Sequence, residues 1–169
     1  MAESRQFVTF FLAGEEHALP VERVLEVLAL GRITRVPTTP PWIRGVANVR
    51  GSVLPVVDVA VKLGLPPTEM GARSSIVVVE SEAFGERLRL GVVVESVAQV
   101  IEIAAEMLEP PPSFGTRIRV EYLTGMARVG DGYVLLFDLE HALSAEELQA
   151  AATVEEPAAE AGASEETPA

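Results

Sequence analysis

The residues able to do chemistry are few. His17 and His141 are the only two imidazoles, and cysteine is absent. Without thiols there is no disulfide, thiolate metal site or cysteine nucleophile. His17 lies among apolar neighbours at the start of a strand pattern, and His141 lies beside a predicted helical turn. No His-x-x-x-His, Gly-x-Ser-x-Gly, P-loop or Gly-x-Gly-x-x-Gly pattern occurs. Asp58 and Asp138 form a candidate carboxylate pair. Each follows an apolar run and precedes a predicted helical turn, Val59 to Leu63 or Leu139 to Leu143. There an aspartate caps free backbone N–H groups. The sequence therefore predicts no catalytic residue, no metal and no cofactor.

The elements that place these residues come from one unit used twice. Ile43-Arg-Gly45-Val-Ala47-Asn-Val49 lies over Leu123-Thr-Gly125-Met-Ala127-Arg-Val129, and the distance from glycine to aspartate is 13 residues in both copies. Val53-Leu-Pro-Val-Val57-Asp58 then matches Tyr133-Val-Leu-Leu-Phe137-Asp138. Upstream, Ala18-Leu-Pro-Val-Glu22-Arg-Val24-Leu-Glu-Val27 lies over Gly91-Val-Val-Val-Glu95-Ser-Val97-Ala-Gln-Val100. The alignable copies run over about 7–65 and 76–143. Each reads as a strand (Gln6 to Leu12; Ser75 to Glu80), a turn, two further strands, a Pro-rich loop and a closing hairpin with a Gly-containing turn. The Pro-rich loops hold Pro37, Pro40 and Pro41 in one copy and Pro110, Pro111 and Pro112 in the other. The fold class predicted is mainly β, with two small five-stranded barrels sharing an apolar interface. Ser144 with Glu147 is a capping box that opens a short terminal helix over Ser144–Ala152. Residues 153–169 carry five glutamates, no basic residue and almost no large apolar group, and read as a disordered acidic tail.

Comparing the copies separates what the fold needs from what it does not. Gly45 and Gly125 match, which points to backbone geometry or a close approach to a neighbouring strand. Trp42, the sole tryptophan, is placed to plug the barrel junction, with a surface contact as the alternative. Arg50 stands at a predicted hairpin turn, and its counterpart is Gly130; likewise Arg44 faces Thr124. A guanidinium at one tip only is a candidate recognition residue, with a solvated turn arginine as the alternative.

The net charge of −12 disfavours a nucleic-acid partner. MAESRQFVTF lacks the pattern of a signal peptide, and the apolar runs are too short to span a bilayer. A cytoplasmic location is expected.

At the residues just quoted the sequence resembles the CheW family. Ile43 to Gly51 followed by Val53-Leu-Pro-Val-Val-Asp58 is similar to the family's N-L-R-G signature and the P-V-V-D strand after it. Gly14-Glu-Glu-His-Ala-Leu-Pro-Val, Pro110-Pro-Pro and Glu121-Tyr-Leu-Thr-Gly125 resemble further family motifs. The match covers about residues 5–152 and departs from the family at Val49, His17 and the acidic tail. The resemblance implies two SH3-like barrels side by side, with a groove suited to the tip of a receptor hairpin. It implies a non-enzymatic adaptor linking methyl-accepting chemoreceptors to the regulatory domain of the CheA histidine kinase, recruited to membrane receptor arrays. An output other than flagella, such as surface motility, pili or gene expression, is the alternative; a small-ligand or enzymatic barrel is a more distant one. Carried over by position, the partner-contact residues are Val24, Glu26, Arg44, Gly45 and Arg50.

Overall fold

A computed structural model describes residues 4–83, 86–110, 123–139, 143 and 147. In chain order these form β1 (Ser4–Leu12), β2 (Glu15–Pro20), β3 (Val24–Ala29), β4 (Ile43–Val49), β5 (Ser52–Val57), α1 (Val59–Lys62), β6 (Ser75–Ala83), β7 (Glu86–Val94), β8 (Ser96–Ala104), β9 (Leu108–Glu109), β10 (Leu123–Val129) and β11 (Gly132–Phe137). The predicted terminal helix, apart from Glu147, and the acidic tail lie outside the described residues. So do His141, Pro111 and Pro112.

The strands make two sheets. Barrel A has the order β8-β1-β2-β11-β10-β9, and barrel B the order β3-β6-β7-β5-β4. The duplicated sequence leads one to expect each copy to close on itself. The leading hairpins are exchanged instead: β1–β2 of the first copy sits among strands of the second, and β6–β7 of the second sits among strands of the first. The exchange obeys the internal symmetry. β2 runs parallel to β11, with His17 beside Leu135, and β7 runs parallel to β5, with Gly91 beside Val56. The connections explain it. One residue, Glu95, separates β7 from β8, fewer than the two a hairpin needs, so the chain runs onward into the other sheet. In the first copy a 3-10 turn over Val21–Arg23 does the same.

Each sheet curls until its edges meet. After β3 the chain reaches the far edge, where Thr34 bridges Val46 of β4. After β8 it forms β9, where Glu109 pairs with Met126 of β10. These positions are equivalent in the repeat.

The valine run of β6 shows why the exchange is stable. Ile76 and Val78 point into barrel B with Leu54, Val56 and Val93. Val77 and Val79 point the other way, into a larger core that also holds Phe10, Leu12, Leu123 and Phe137 of barrel A. A strand buried on both faces must be apolar at every position, and Ile76-Val-Val-Val79 is. A third cluster, with Phe7, Ile103, Val134 and Leu136, fills barrel A. Trp42 is buried in the shared core, as its predicted place at the junction requires.

His17 faces inward on β2 and is fully buried. Its ring stacks on Phe10, with centroids 6.3 Å apart. Nδ1 lies 3.1 Å from the Glu15 carbonyl oxygen, and Nε2 is buried without a partner. Burial pushes the imidazole down to about 4, against a smaller opposing effect of the Glu15 carbonyl. Unfolded His17 titrates near 6.5 and so binds a proton that the folded chain refuses. Stability is complete above about pH 6.5 and falls as pH drops toward 4, by up to about 3 kcal/mol. Urea melts from pH 8 to 4 are expected to show this loss, and His17→Phe to lack the part of it between pH 6.5 and 5.

Candidate partner-binding site

β4 and β5 form a hairpin whose two turn residues, Arg50 and Gly51, both have positive φ, 50° and 86°. Asn48 Oδ1 accepts from Gly51 N at 3.1 Å and steadies the turn. This is the primed geometry that matches strand twist, and it favours Asn or Gly at its first position. Gly130 occupies that position in the other copy, at φ 61°. Arginine there strains the backbone by about 1 kcal/mol or more. Nothing in the turn needs the side chain, so the guanidinium is kept for what it reaches.

It reaches Glu26. Arg50 Nη2 pairs with Glu26 Oε2 on β3, the edge strand of barrel B. The Arg50 side chain is 67% exposed and that of Glu26 27%. Of the five guanidinium donors, those not facing Glu26 are open to a partner. Leu25 and Val27, on either side of Glu26, are exposed. Val24 is half-buried and packs on the shared core. Glu26 is paired with Val78 and Val27 with Val77, so the Arg50–Glu26 pair and the exposed Val27 lie on opposite faces of β3.

The other two predicted site residues turn inward. Arg44 Nη1 lies 3.0 Å from Asp58 Oδ2, with the arginine side chain 26% exposed and the aspartate fully buried. Asp58 also accepts from Ala60 N at 3.2 Å, Thr68 N at 2.9 Å and Thr68 Oγ1 at 2.8 Å. It caps α1, as predicted, and ties the loop after α1 back to β4. A carboxylate with four hydrogen bonds, one from an arginine, is a structural charge rather than a nucleophile. Gly45 is buried with φ 142°, and a Cβ there would stand 2.1 Å from the Thr34 carbonyl oxygen. Gly125 meets the same constraint, 2.8 Å from the Glu109 carbonyl oxygen. Both glycines let the closing segment cross at the barrel seam. Among the described residues no three His, Asp or Glu side chains converge to hold a metal ion.

Leu25 and Val27 were not singled out by sequence reasoning, nor was Val100 of β8, which is 60% exposed. Their signal lay in the repeat, where Val27 aligns with Val100. β3 and β8 are equivalent edge strands, and an edge strand shows its outer face to water.

The comparisons with known proteins fit this geometry. Residues 6–147 match the family model described as CheW-like domain. The chain belongs to the CheW-like family. It is 33% identical over 144 residues to the chemotaxis protein CheW of Klebsiella aerogenes, covering 85% of this chain and 84% of that one. It is 32% identical over 124 residues to Protein FrzA of Myxococcus xanthus, covering 73% and 74%. The crystal structure of the scaffolding protein TtCheW from Thermoanaerobacter tengcongensis superimposes with a TM-score of 0.74 at 30% identity, over 87% of this chain and 94% of that one. The mainly β, two-barrel fold is that of a CheW protein.

Three substitutions separate backbone from side-chain roles in the two CheW-like closing hairpins. Gly45→Ala is expected to cost roughly 2–4 kcal/mol in urea denaturation, because it adds a methyl against backbone at a positive φ. Gly125→Ala should cost less, since its contact is looser. Arg50→Gly is expected to leave stability within about 1 kcal/mol, relief of strain offsetting loss of an exposed ion pair.

Proposed function

We propose that this CheW-like chain is a non-enzymatic adaptor coupling the cytoplasmic tips of methyl-accepting chemoreceptors to the regulatory domain of a CheA-type histidine kinase. The observation that carries the reading is Arg50, a strained arginine at the tip of one barrel only, paired with Glu26 on the edge strand β3 and largely exposed. A strained arginine whose exposed ion pair does no more than offset its strain points to a residue kept for a partner. The names of the relatives, chemotaxis protein CheW and scaffolding protein TtCheW, support the same class.

In this reading Val24, Glu26 and Arg50 contact partners directly. Arg44 and Gly45 act from beneath, by fixing the hairpin that carries Arg50. Among the described residues no helix is long and apolar enough to cross a membrane. In this reading the adaptor reaches membrane arrays through its receptor. A chemosensory pathway with an output other than flagella is the second reading. It is favoured by the similarity to Protein FrzA, a relative not named for chemotaxis. Capture of the kinase and receptor partners from cells, followed by their identification, distinguishes the two.

Arg50→Glu is expected to stay folded and to lose affinity for the receptor tip, the kinase regulatory domain or both. Reversing a charged interface contact costs on the order of 2–5 kcal/mol, roughly thirty- to several-thousand-fold in Kd. Gly130→Arg, the mirror change in the other barrel, should matter less. Unchanged affinity for both partners in a folded Arg50→Glu protein would contradict the assignment.

A further inference from the structure

The sheet of barrel A ends at β8, and no described strand pairs with its outer side. The hydrogen bonds show which backbone groups that leaves open. Gln99 N donates to Thr9 Oγ1 at 3.2 Å, and Thr9 Oγ1 donates to the Gln99 carbonyl oxygen at 3.3 Å. Both backbone groups of Gln99 therefore face β1. Successive residues of a strand alternate, so the N–H and C=O of Val100 and Glu102 face away from β1. The next outward amide, Ala104 N, donates to Met107 Sδ at 3.5 Å and closes the open stretch.

An exposed edge is usually blunted by lysine, proline or a bulge. β8 has one irregularity, where Thr9 pairs with Gln99 and Phe10 with Val97. Beyond it the register is regular, and Ser96 to Glu109 contains no lysine, arginine or proline. That stretch carries Glu102, Glu106 and Glu109 instead. Val100 is 60% exposed, and its side chain shares a face with that of exposed Glu102. The Glu102 carboxylate accepts from Ser4 Oγ at 2.6 Å, and among the described residues no basic side chain pairs with it. The equivalent edge of barrel B has Ala29 in place of Glu102 and Arg32 in place of Ala105, so the acidic rim belongs to barrel A alone.

We propose that the outer edge of β8 docks an extended, basic segment of a partner protein, which joins barrel A as a further strand. Its backbone pairs with the open N–H and C=O groups of Val100 and Glu102. On the face that carries those two side chains, an aliphatic residue meets Val100 and a lysine or arginine two positions away meets Glu102. A second copy of this chain is a poor occupant, because it brings the same acidic edge on a net charge of −12. The edge lies in barrel A and the Arg50 hairpin in barrel B, so neither assignment depends on the other.

Amide exchange followed by NMR on the full chain tests this with a capped threonine peptide that carries valine and lysine in turn at every second position. In the free chain the Val100 and Glu102 amides are expected to exchange fast, and those of Ile101 and Ile103 slowly. Excess peptide should slow exchange at Val100 and Glu102 by about tenfold or more, and the same peptide with glutamate for lysine should not. Glu102→Lys should reverse that preference. Val100→Pro removes an outward N–H, a change an edge strand tolerates, and should abolish the protection of Glu102 while circular dichroism is unchanged. Slow exchange at Val100 and Glu102 in the free chain would overturn the docking edge, since this chain or a second copy would already fill it. So would a lysine peptide that gives no protection, or equal protection by both peptides in the unaltered chain and in Glu102→Lys.

Discussion

The exchange of the two leading hairpins is the constraint on which the rest of the molecule depends. Each barrel closes only through a parallel seam with strands from the other copy: His17 and Ala18 against Leu135 and Leu136, Val56 and Val57 against Gly91 and Val92. These seams are short, and little of their stability comes from their own backbone bonds. It comes from the core between the barrels, where Val77, Val79, Leu90 and Val92 of one sheet meet Phe10, Leu12, Leu123 and Phe137 of the other. Burying a side chain of this size contributes about 1.5–3 kcal/mol, so this shared cluster ties the fate of each barrel to that of its neighbour.

A rigid junction is what an adaptor of the CheW type requires. A scaffold that binds two partners at once transmits geometry only if its surfaces keep a fixed relation. Here the shared apolar core supplies the junction, and the Asp58 network with the inward-facing Arg44 braces the β4–β5 hairpin from behind. The surface is then free to differ between copies. At the closing seams both barrels carry glycine, because the backbone crosses there. At the tips they diverge, and the barrel that carries arginine accepts strain for it. Constraint is symmetric where the chain must close and asymmetric at the hairpin tips.

Much of this was legible in the sequence. The repeat exposed the turns at Arg50-Gly51 and Gly130-Asp131, the cap at Asp58 and the close approach at Gly45, because each follows from local chemistry at a fixed spacing. The exchange was hidden. Strand pairing between copies is a long-range choice, and alternating valines are equally compatible with closure inside one copy. The one local hint was the single residue Glu95 between two strand patterns. Arg44 stood out from its counterpart Thr124, but only coordinates show that its guanidinium turns to Asp58. Leu25 and Val27 were hidden for a related reason, since which strand lies at an edge depends on the topology.

The account is tested most directly by cutting the chain between Met70 and Gly71, an exposed stretch between α1 and β6. Each half is then one copy of the repeat. Exchange predicts that neither half folds alone, since each lacks the hairpin that closes its barrel. An equimolar mixture should regain the circular dichroism and the single cooperative urea transition of the intact chain. A half that alone shows native β signal and a cooperative transition would contradict the exchange and the shared core built upon it.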